Sequence, residues 1–477
     1  MRSSPEPWWR GGVLYQVYPR SFADSTGDGI GDLVGLRDRL DYLEWLGIDG
    51  VWLNPTFPSP NKDWGYDVAD YCDVHPDLGS LPDLDALVAD ARERGISILL
   101  DLVPAHTSDH HDWFAESRSG RESQRRDWYI WRAEADDEES VFGGNAWTHD
   151  ASTGQYYHHR FLPQQPDLNW LNGDVRDAFD DILRFWFDRG IAGFRIDVVH
   201  ELVKDPPDQA NDPETHRVLR RWRTLADSYD PQRVLVGETW VMDLARLATF
   251  YGTGTDELQL AFNFPFVFAG LEADALAEVV AGTEAALPEA AWPVWTLSNH
   301  DVVRFPTRIC EGDERKVRCA LLILLGLRGT PVLYYGDELG MPQTDIPRDR
   351  VLDVSGRDGA RTPMSWGDVD WHEPWLPLGD HPRSVVEQRD DPESVLSFCR
   401  ELIALRRARP ELSAGGYERV ETSGAVWAWR RGGSTAVAVN LSDEPAAVDL
   451  GGRVLLSTSG SDDASGLGPW AGVVLDV

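Results

Sequence analysis

The stretch Gly193-Phe194-Arg195-Ile196-Asp197 reads as a short strand that runs into a charged end. Side chains alternate faces along a strand, so Phe194 and Ile196 share one face while Arg195 and Asp197 share the other. Upstream, residues 175–189 carry the spacing of an amphipathic helix, and this unit of short apolar run, polar end and longer amphipathic stretch recurs along the chain. Working outward, eight runs qualify as strands: 13–18, 50–53, 97–102, 193–196, 234–237, 258–262, 294–297 and 331–335. Helix-like stretches at 33–46, 84–94, 175–189 and 315–325 lie among them. The alternation predicts an α/β fold, a (β/α)8 TIM barrel, with a doubly wound sheet as the competing arrangement.

Two breaks in the repeat predict appendages. After strand three, residues 104–171 are rich in His, Trp, Tyr and Gly without helical periodicity, too long for an ordinary loop, and read as an inserted subdomain over the barrel mouth. After strand eight, residues 337–391 form a long polar stretch rich in Pro, Asp and Arg, before a closing helix at 395–408. Short strands at 425–430 and 435–440 among Gly, Ser and Asp turns predict a C-terminal antiparallel β-sandwich. The expected domains are therefore the barrel at 1–103 and 172–410, the insertion at 104–171 and the sandwich at 411–477.

Composition agrees with a large folded chain. Of 477 residues, 42% are hydrophobic and 26% charged, enough to bury extensive cores and too many for one small module. A net charge of −35 repels phosphate backbones and anionic lipid, which argues against nucleic-acid and membrane-surface partners. The four cysteines, Cys72, Cys310, Cys319 and Cys399, have no metal or disulfide spacing, and the first residues have no apolar leader. A cytoplasmic protein, monomer or homodimer, is the expectation.

Reactive groups of such barrels stand where strands end and βα loops begin. Strand three ends Asp101-Leu-Val-Pro-Ala-His106, strand four Arg195-Ile-Asp197, strand five Gly237-Glu238-Thr239, and strand seven Asn299-His300-Asp301. Arg195 on the same face favours the anion of Asp197, which suits a nucleophile, whereas Glu238 follows apolar residues with no adjacent cation and suits a general acid. An unequal carboxylate pair is what glycoside hydrolysis uses, and Asp301 is left to hold sugar hydroxyls. No GxSxG elbow and no phosphate-binding glycine loop compete with this reading.

These segments, with Gln165-Pro-Asp-Leu-Asn-Trp170, resemble the signatures of the α-amylase family of glycoside hydrolases, in its oligosaccharide α-glucosidase branch. The resemblance implies Asp197 as nucleophile, Glu238 as acid/base and Asp301 as transition-state stabiliser. Asp63-Trp-Gly-Tyr66 and Arg357-Asp-Gly-Ala-Arg361-Thr-Pro-Met-Ser-Trp366 resemble the branch's pocket motifs. They imply an Asp63–Arg361 pair closing the non-reducing end, hence exo action on short malto- or isomalto-oligosaccharides. They also imply Tyr66 stacked on the terminal glucose, Phe142 and Phe161 lining the pocket, His106, Arg195 and His300 binding hydroxyls or the nucleophile, and Arg357 facing the leaving sugar. Val198 goes in this branch with tolerance of α-1,6 links. Asp24-Ser-Thr-Gly-Asp28-Gly-Ile-Gly-Asp32 places oxygen donors at alternate positions of a glycine-rich loop, as a hard cation requires. The resemblance implies structural Ca²⁺ or Mg²⁺ on Asp24, Thr26, Asp28, the Ile30 carbonyl and Asp32. It leaves trehalose synthase and sucrose-using glucosyl transferases as enzymatic alternatives. A non-catalytic relative is set aside because all three acids are present and no membrane helix is legible in the sequence.

Overall fold

The computed structural model describes residues 7–204, 211–367, 371–379, 383–422 and 424–477. Eight parallel strands form its centre: β1 Leu14–Val17, β2 Gly50–Leu53, β3 Ser97–Leu102, β4 Gly193–Ile196, β5 Val234–Gly237, β6 Leu260–Ala261, β7 Val294–Thr296 and β8 Thr330–Tyr334. They hydrogen-bond in the order β7-β8-β1-β2-β3-β4-β5-β6, and a single parallel bridge, Phe262 to Val294, closes the ring. The barrel prevails over the doubly wound alternative.

The period-two pattern accounts for where each side chain points. Leu14, Leu99, Val236, Val294 and Val332 fill the barrel interior as an apolar layer. Phe194 and Ile196 face the other way, into the core shared with the surrounding helices. Between them, the inward positions nearest the strand ends are left to Asp101, Arg195 and Glu238, so an apolar plug lies beneath a charged layer. Register places Arg195 directly beside Asp101 on one side and Val236 on the other.

Two elements differ from expectation. The helix expected over 33–46 is two helices, Leu33–Asp38 and Leu40–Leu46, meeting at Arg39, where φ is −104° and ψ 7° and the guanidinium lies 4.2 Å from the Trp366 ring centre. β6 has two residues rather than five: the Gln259 side chain takes Leu235 N and the Arg233 carbonyl ahead of the ladder, and beyond it Phe262 makes a single bridge before Asn263 caps a helical turn at Phe266 N.

The insertion holds a helix, Asp112–Ser117, and a three-stranded antiparallel sheet of Trp131–Arg132, Gln155–His158 and Trp147–Asp150. The C-terminal region is a five-stranded antiparallel sheet. Trp427, Trp429, Val437, Val439 and Val474 turn one face into the core shared with the barrel, while Val426, Ala428, Ala436, Ala438 and Val473 face Val448, Leu450 and Leu467. The second layer of the expected sandwich is thus only a two-stranded ribbon, Ala446–Ala447 with Gly466–Leu467. At the seam, buried Arg406 donates to the carbonyls of Leu325, Leu327, Leu412, Gly329 and Gly11. No helix among the described residues is long and apolar enough to cross a membrane.

Candidate active site

A pocket of about 370 Å³ opens where the barrel strands end, and Asp63, Tyr66, His106, Asp197, Glu238 and Asp301 are among its walls. Its base is organised by one guanidinium. Arg195 Nη1 donates to Asp197 Oδ1 at 2.7 Å and to Asp101 Oδ1 at 2.8 Å, while Nη2 donates to Glu238 Oε2 at 2.6 Å. The expectation that Glu238 has no cation near it is therefore corrected: Glu238 lies two residues beyond Val236, the strand neighbour of Arg195, and so on the same inward face. Val198 takes a left-handed φ of 42°, a strained conformation for a β-branched residue, and its N–H donates to Glu238 Oε2 at 3.0 Å.

Three carboxylates around one cation cannot all ionise without repulsion in a dry site. Burial pushes Asp197 well above the usual carboxylate range, against the pull of Arg195 and with the push of Glu238 and Asp101. Burial and the neighbouring carboxylates thus oppose the anion that Arg195 favours at Asp197, a contest its sequence neighbourhood does not show. Burial likewise moves Asp101 up to about 7 despite its ion pair with Arg195.

A second network orients the aromatic wall. Tyr66 stacks on His300, with ring centres 5.3 Å apart and planes 9° from parallel. Gln16 Nε2 donates to His300 Nδ1 at 2.9 Å, so the neutral ring carries its proton on Nε2, which meets the Tyr66 hydroxyl at 2.6 Å. That hydroxyl in turn donates to Asp101 Oδ2 at 3.0 Å. Burial holds His300 well below its ordinary value and His106 down at about 4, so both act as neutral hydrogen-bonding groups. Phe142 and Phe161 also line the pocket, their ring centres 5.7 Å apart, with Phe161 against His106 and Arg357 5.4 Å from the Phe142 ring centre.

The pocket floor is paired differently from the implied pattern. Asp63 Oδ1 accepts from Arg357 Nη2 at 2.5 Å, not from Arg361. Arg361 is held by the His300 carbonyl at 2.9 Å and by Asp301 Oδ1 at 3.1 Å, which leaves Arg357 to reach Asp63. Arg357 also donates to Asp301 Oδ1 at 3.0 Å. Asp301 is buried, yet His300, Arg357 and Arg361 keep it well below the usual carboxylate range. Burial raises Asp63 against the pull of the same two arginines. Gln165 of the insertion completes the floor, donating to Asp63 Oδ2 at 3.0 Å.

Residues without an assigned role in the sequence reading also belong here. Asp101 and Gln165 stood inside the motifs, but only the folded register shows what they touch. His200, Glu201 and Trp240 line the outer pocket, with Glu201 paired to Arg160 of the insertion at 3.1 Å. Trp240 ends the strand-five segment Gly237-Glu-Thr-Trp240, whereas nothing in the local sequence marked His200 or Glu201.

In the Asp24–Asp32 loop, Asp24 accepts from the backbone N–H groups of Thr26, Gly27 and Gly29, and Asp28 from that of Ile30. Asp32 faces inward, accepting from Ser25 and from Gly35 N, where it caps the helix Leu33–Asp38. The oxygen-only donor set fits the chemistry of a hard cation. The arrangement as it stands does not gather the donors: no three His, Cys, Asp or Glu side chains among the described residues are grouped to hold a metal ion.

The barrel and its paired carboxylates define a glycoside hydrolase by fold and site geometry. A family model described as "Alpha amylase, catalytic domain" matches residues 16–415, and "Domain of unknown function (DUF3459)" matches residues 414–474. The chain belongs to the α-amylase family. It is 39% identical to a probable alpha-glucosidase of Rhizobium meliloti, over 93% of this chain and 91% of that one. It is 35% identical to a glucan 1,6-alpha-glucosidase of Streptococcus pneumoniae, over 94% of each. Among solved structures it is similar to the trehalulose synthase MutB of Pseudomonas mesoacidophila, with a TM-score of 0.93 at 33% identity over 99% of this chain and 100% of that one. The alpha-glucosyl transfer enzyme XgtA gives 0.91 at 36% identity, over 98% of this chain and 99% of that one.

Proposed function

We propose that this protein is a retaining, exo-acting α-glucosidase that removes terminal α-linked glucose from short malto- or isomalto-oligosaccharides and can pass it to sugar acceptors. The observation that carries the reading is the Arg195 fork, which holds Asp197 and Glu238 side by side at the base of a pocket whose far end the Asp63–Arg357 pair closes. One guanidinium takes an oxygen of each carboxyl group, which keeps the pair close together as a retaining enzyme requires and favours a covalent intermediate. In the proposed cycle Asp197 attacks the anomeric carbon while Glu238 gives its proton to the departing oxygen. Glu238 then takes a proton from water, or from an acceptor hydroxyl, that attacks the same carbon and releases Asp197. Asp301 holds ring hydroxyls, and Arg361, buried behind it, fixes its carboxylate.

The test is time-resolved proton NMR with maltose and isomaltose. α-Glucose should appear first, and Glu238→Gln should abolish turnover; β-glucose first, or near-normal activity in the variant, would sink the assignment. The similarity to XgtA and MutB favours transfer as a second reading. Growth of longer oligosaccharides or of trehalose, or turnover of sucrose in place of both disaccharides, would make the chain a transferase.

A structural Ca²⁺ or Mg²⁺ in the Asp24–Asp32 loop is a further proposal, which requires Asp32 to turn from Ser25. Added Ca²⁺ should raise the melting temperature of the wild type but not of Asp24→Asn; equal shifts would place the ion elsewhere. A cytoplasmic setting is consistent with the four cysteines being free thiols, and cell fractionation checks it.

A further inference from the structure

Segment 351–361 folds around two buried carboxylates. Asp358 Oδ2 accepts from Leu352 N at 2.7 Å and from Asp353 N at 3.0 Å, and Asp353 Oδ2 accepts from Ser355 N at 3.1 Å and Arg357 N at 2.8 Å. Asp358 serves backbone alone, whereas Asp353 also takes the Arg357 guanidinium, Nε on Oδ2 at 3.1 Å and Nη2 on Oδ1 at 2.7 Å. A two-point pair of this kind fixes the plane of the guanidinium as well as its position.

From this geometry we infer that Asp353 is a positioning residue for substrate binding: it clamps the inner edge of Arg357, so that only the outer edge reaches the pocket carboxylates. The inference rests on the glucosidase reading above. Asp353 is 3% exposed and is not among the pocket walls, so it acts through Arg357 rather than on sugar. With the inner edge held, Arg357 touches Asp63 through one N–H and Asp301 through one, and each carboxylate keeps lone pairs for hydroxyls. Without Asp353, the same guanidinium is free to lie across both oxygens of Asp63 or of Asp301, which withdraws those lone pairs from the terminal glucose. Asp353 also gives the cluster a third negative charge, with Asp63 and Asp301, against the two positive charges of Arg357 and Arg361.

The experiment compares p-nitrophenyl α-glucoside with its 4-deoxy analogue in wild type, Asp353→Asn and Asp358→Asn. Asp353→Asn should raise KM for the parent glucoside more than it lowers kcat. It should also shrink the preference for the parent over the 4-deoxy analogue by roughly ten- to a hundredfold, the worth of a hydrogen bond to a charged group. Asp358→Asn should lower the melting temperature and leave that preference unchanged. If Asp353→Asn does not fold, Asp353→Glu, which keeps the charge but displaces the fork, is read in the same way. An unchanged preference in the Asp353 variant, or an equal change in Asp358→Asn, overturns the positioning role alone. A wild type that hydrolyses neither glucoside overturns the glucosidase reading and this inference with it.

Discussion

At the scale of single residues the site depends on one guanidinium that does what an ammonium cannot. Arg195 reaches Asp197 and Asp101 with one nitrogen and Glu238 with the other. A lysine supplies one point charge and cannot hold both candidate catalytic carboxyls at fixed separation. Arg195→Lys should therefore lower kcat on maltose by about a hundredfold or more, with the melting temperature checked to confirm folding. The convergence of the acids on one mouth was legible, because face parity aligns Arg195, Asp197 and Glu238 and the end of strand seven carries Asp301. The partner of Asp63 was not: which of two arginines four residues apart reaches it depends on Asp301 and the His300 carbonyl competing for Arg361, and no local pattern encodes that contest.

At the scale of elements, the strand that carries the candidate nucleophile is packed without slack. A Cβ at Gly193 would lie 2.1 Å from the Val234 carbonyl oxygen and 2.5 Å from Val234 Cγ1. Gly193→Ala must push β4 from β5, and should destabilise by about 3 kcal/mol, seen as a lower urea midpoint at unchanged m-value; a variant as stable as wild type would show that the strand pair has room to give. Strands such as β3 and β4 were readable to the residue because both faces are buried and the run is bounded by polar positions. β6 was overread mainly at its start, because hydrophobicity alone does not show that the Gln259 side chain, rather than a backbone rung, meets Leu235 N and the Arg233 carbonyl. The ribbon that stands in for half of the C-terminal sandwich was illegible for the opposite reason, two-residue strands being too short to carry a period.

For the whole molecule, acid is the expected weakness. His106 and His111 are both held neutral by burial, at about 4 and about 3 against an ordinary 6.5. Below pH 6.5 the unfolded chain binds protons that the folded one refuses, so stability is complete above that pH and is lost as pH falls towards 4 and then 3. His106 alone contributes on the order of 3 kcal/mol to that loss. The melting temperature should fall steadily through this window, and His111→Asn, which keeps an acceptor for Trp113 N, should make the fall shallower. A parallel fall in the variant would remove His111 from the account.

The ring itself is not uniform. Seven strand pairs are ladders, while β6 and β7 meet through the one bridge from Phe262 to Val294. A closed sheet yields where it has fewest rungs, so deuterium should enter the amides at this junction before those of β1 to β4. The junction lies between the strand ends that bear Glu238 and Asp301. The mouth therefore has a rigid half, built on Arg195, and a compliant half through which the ring can breathe as a sugar enters or leaves.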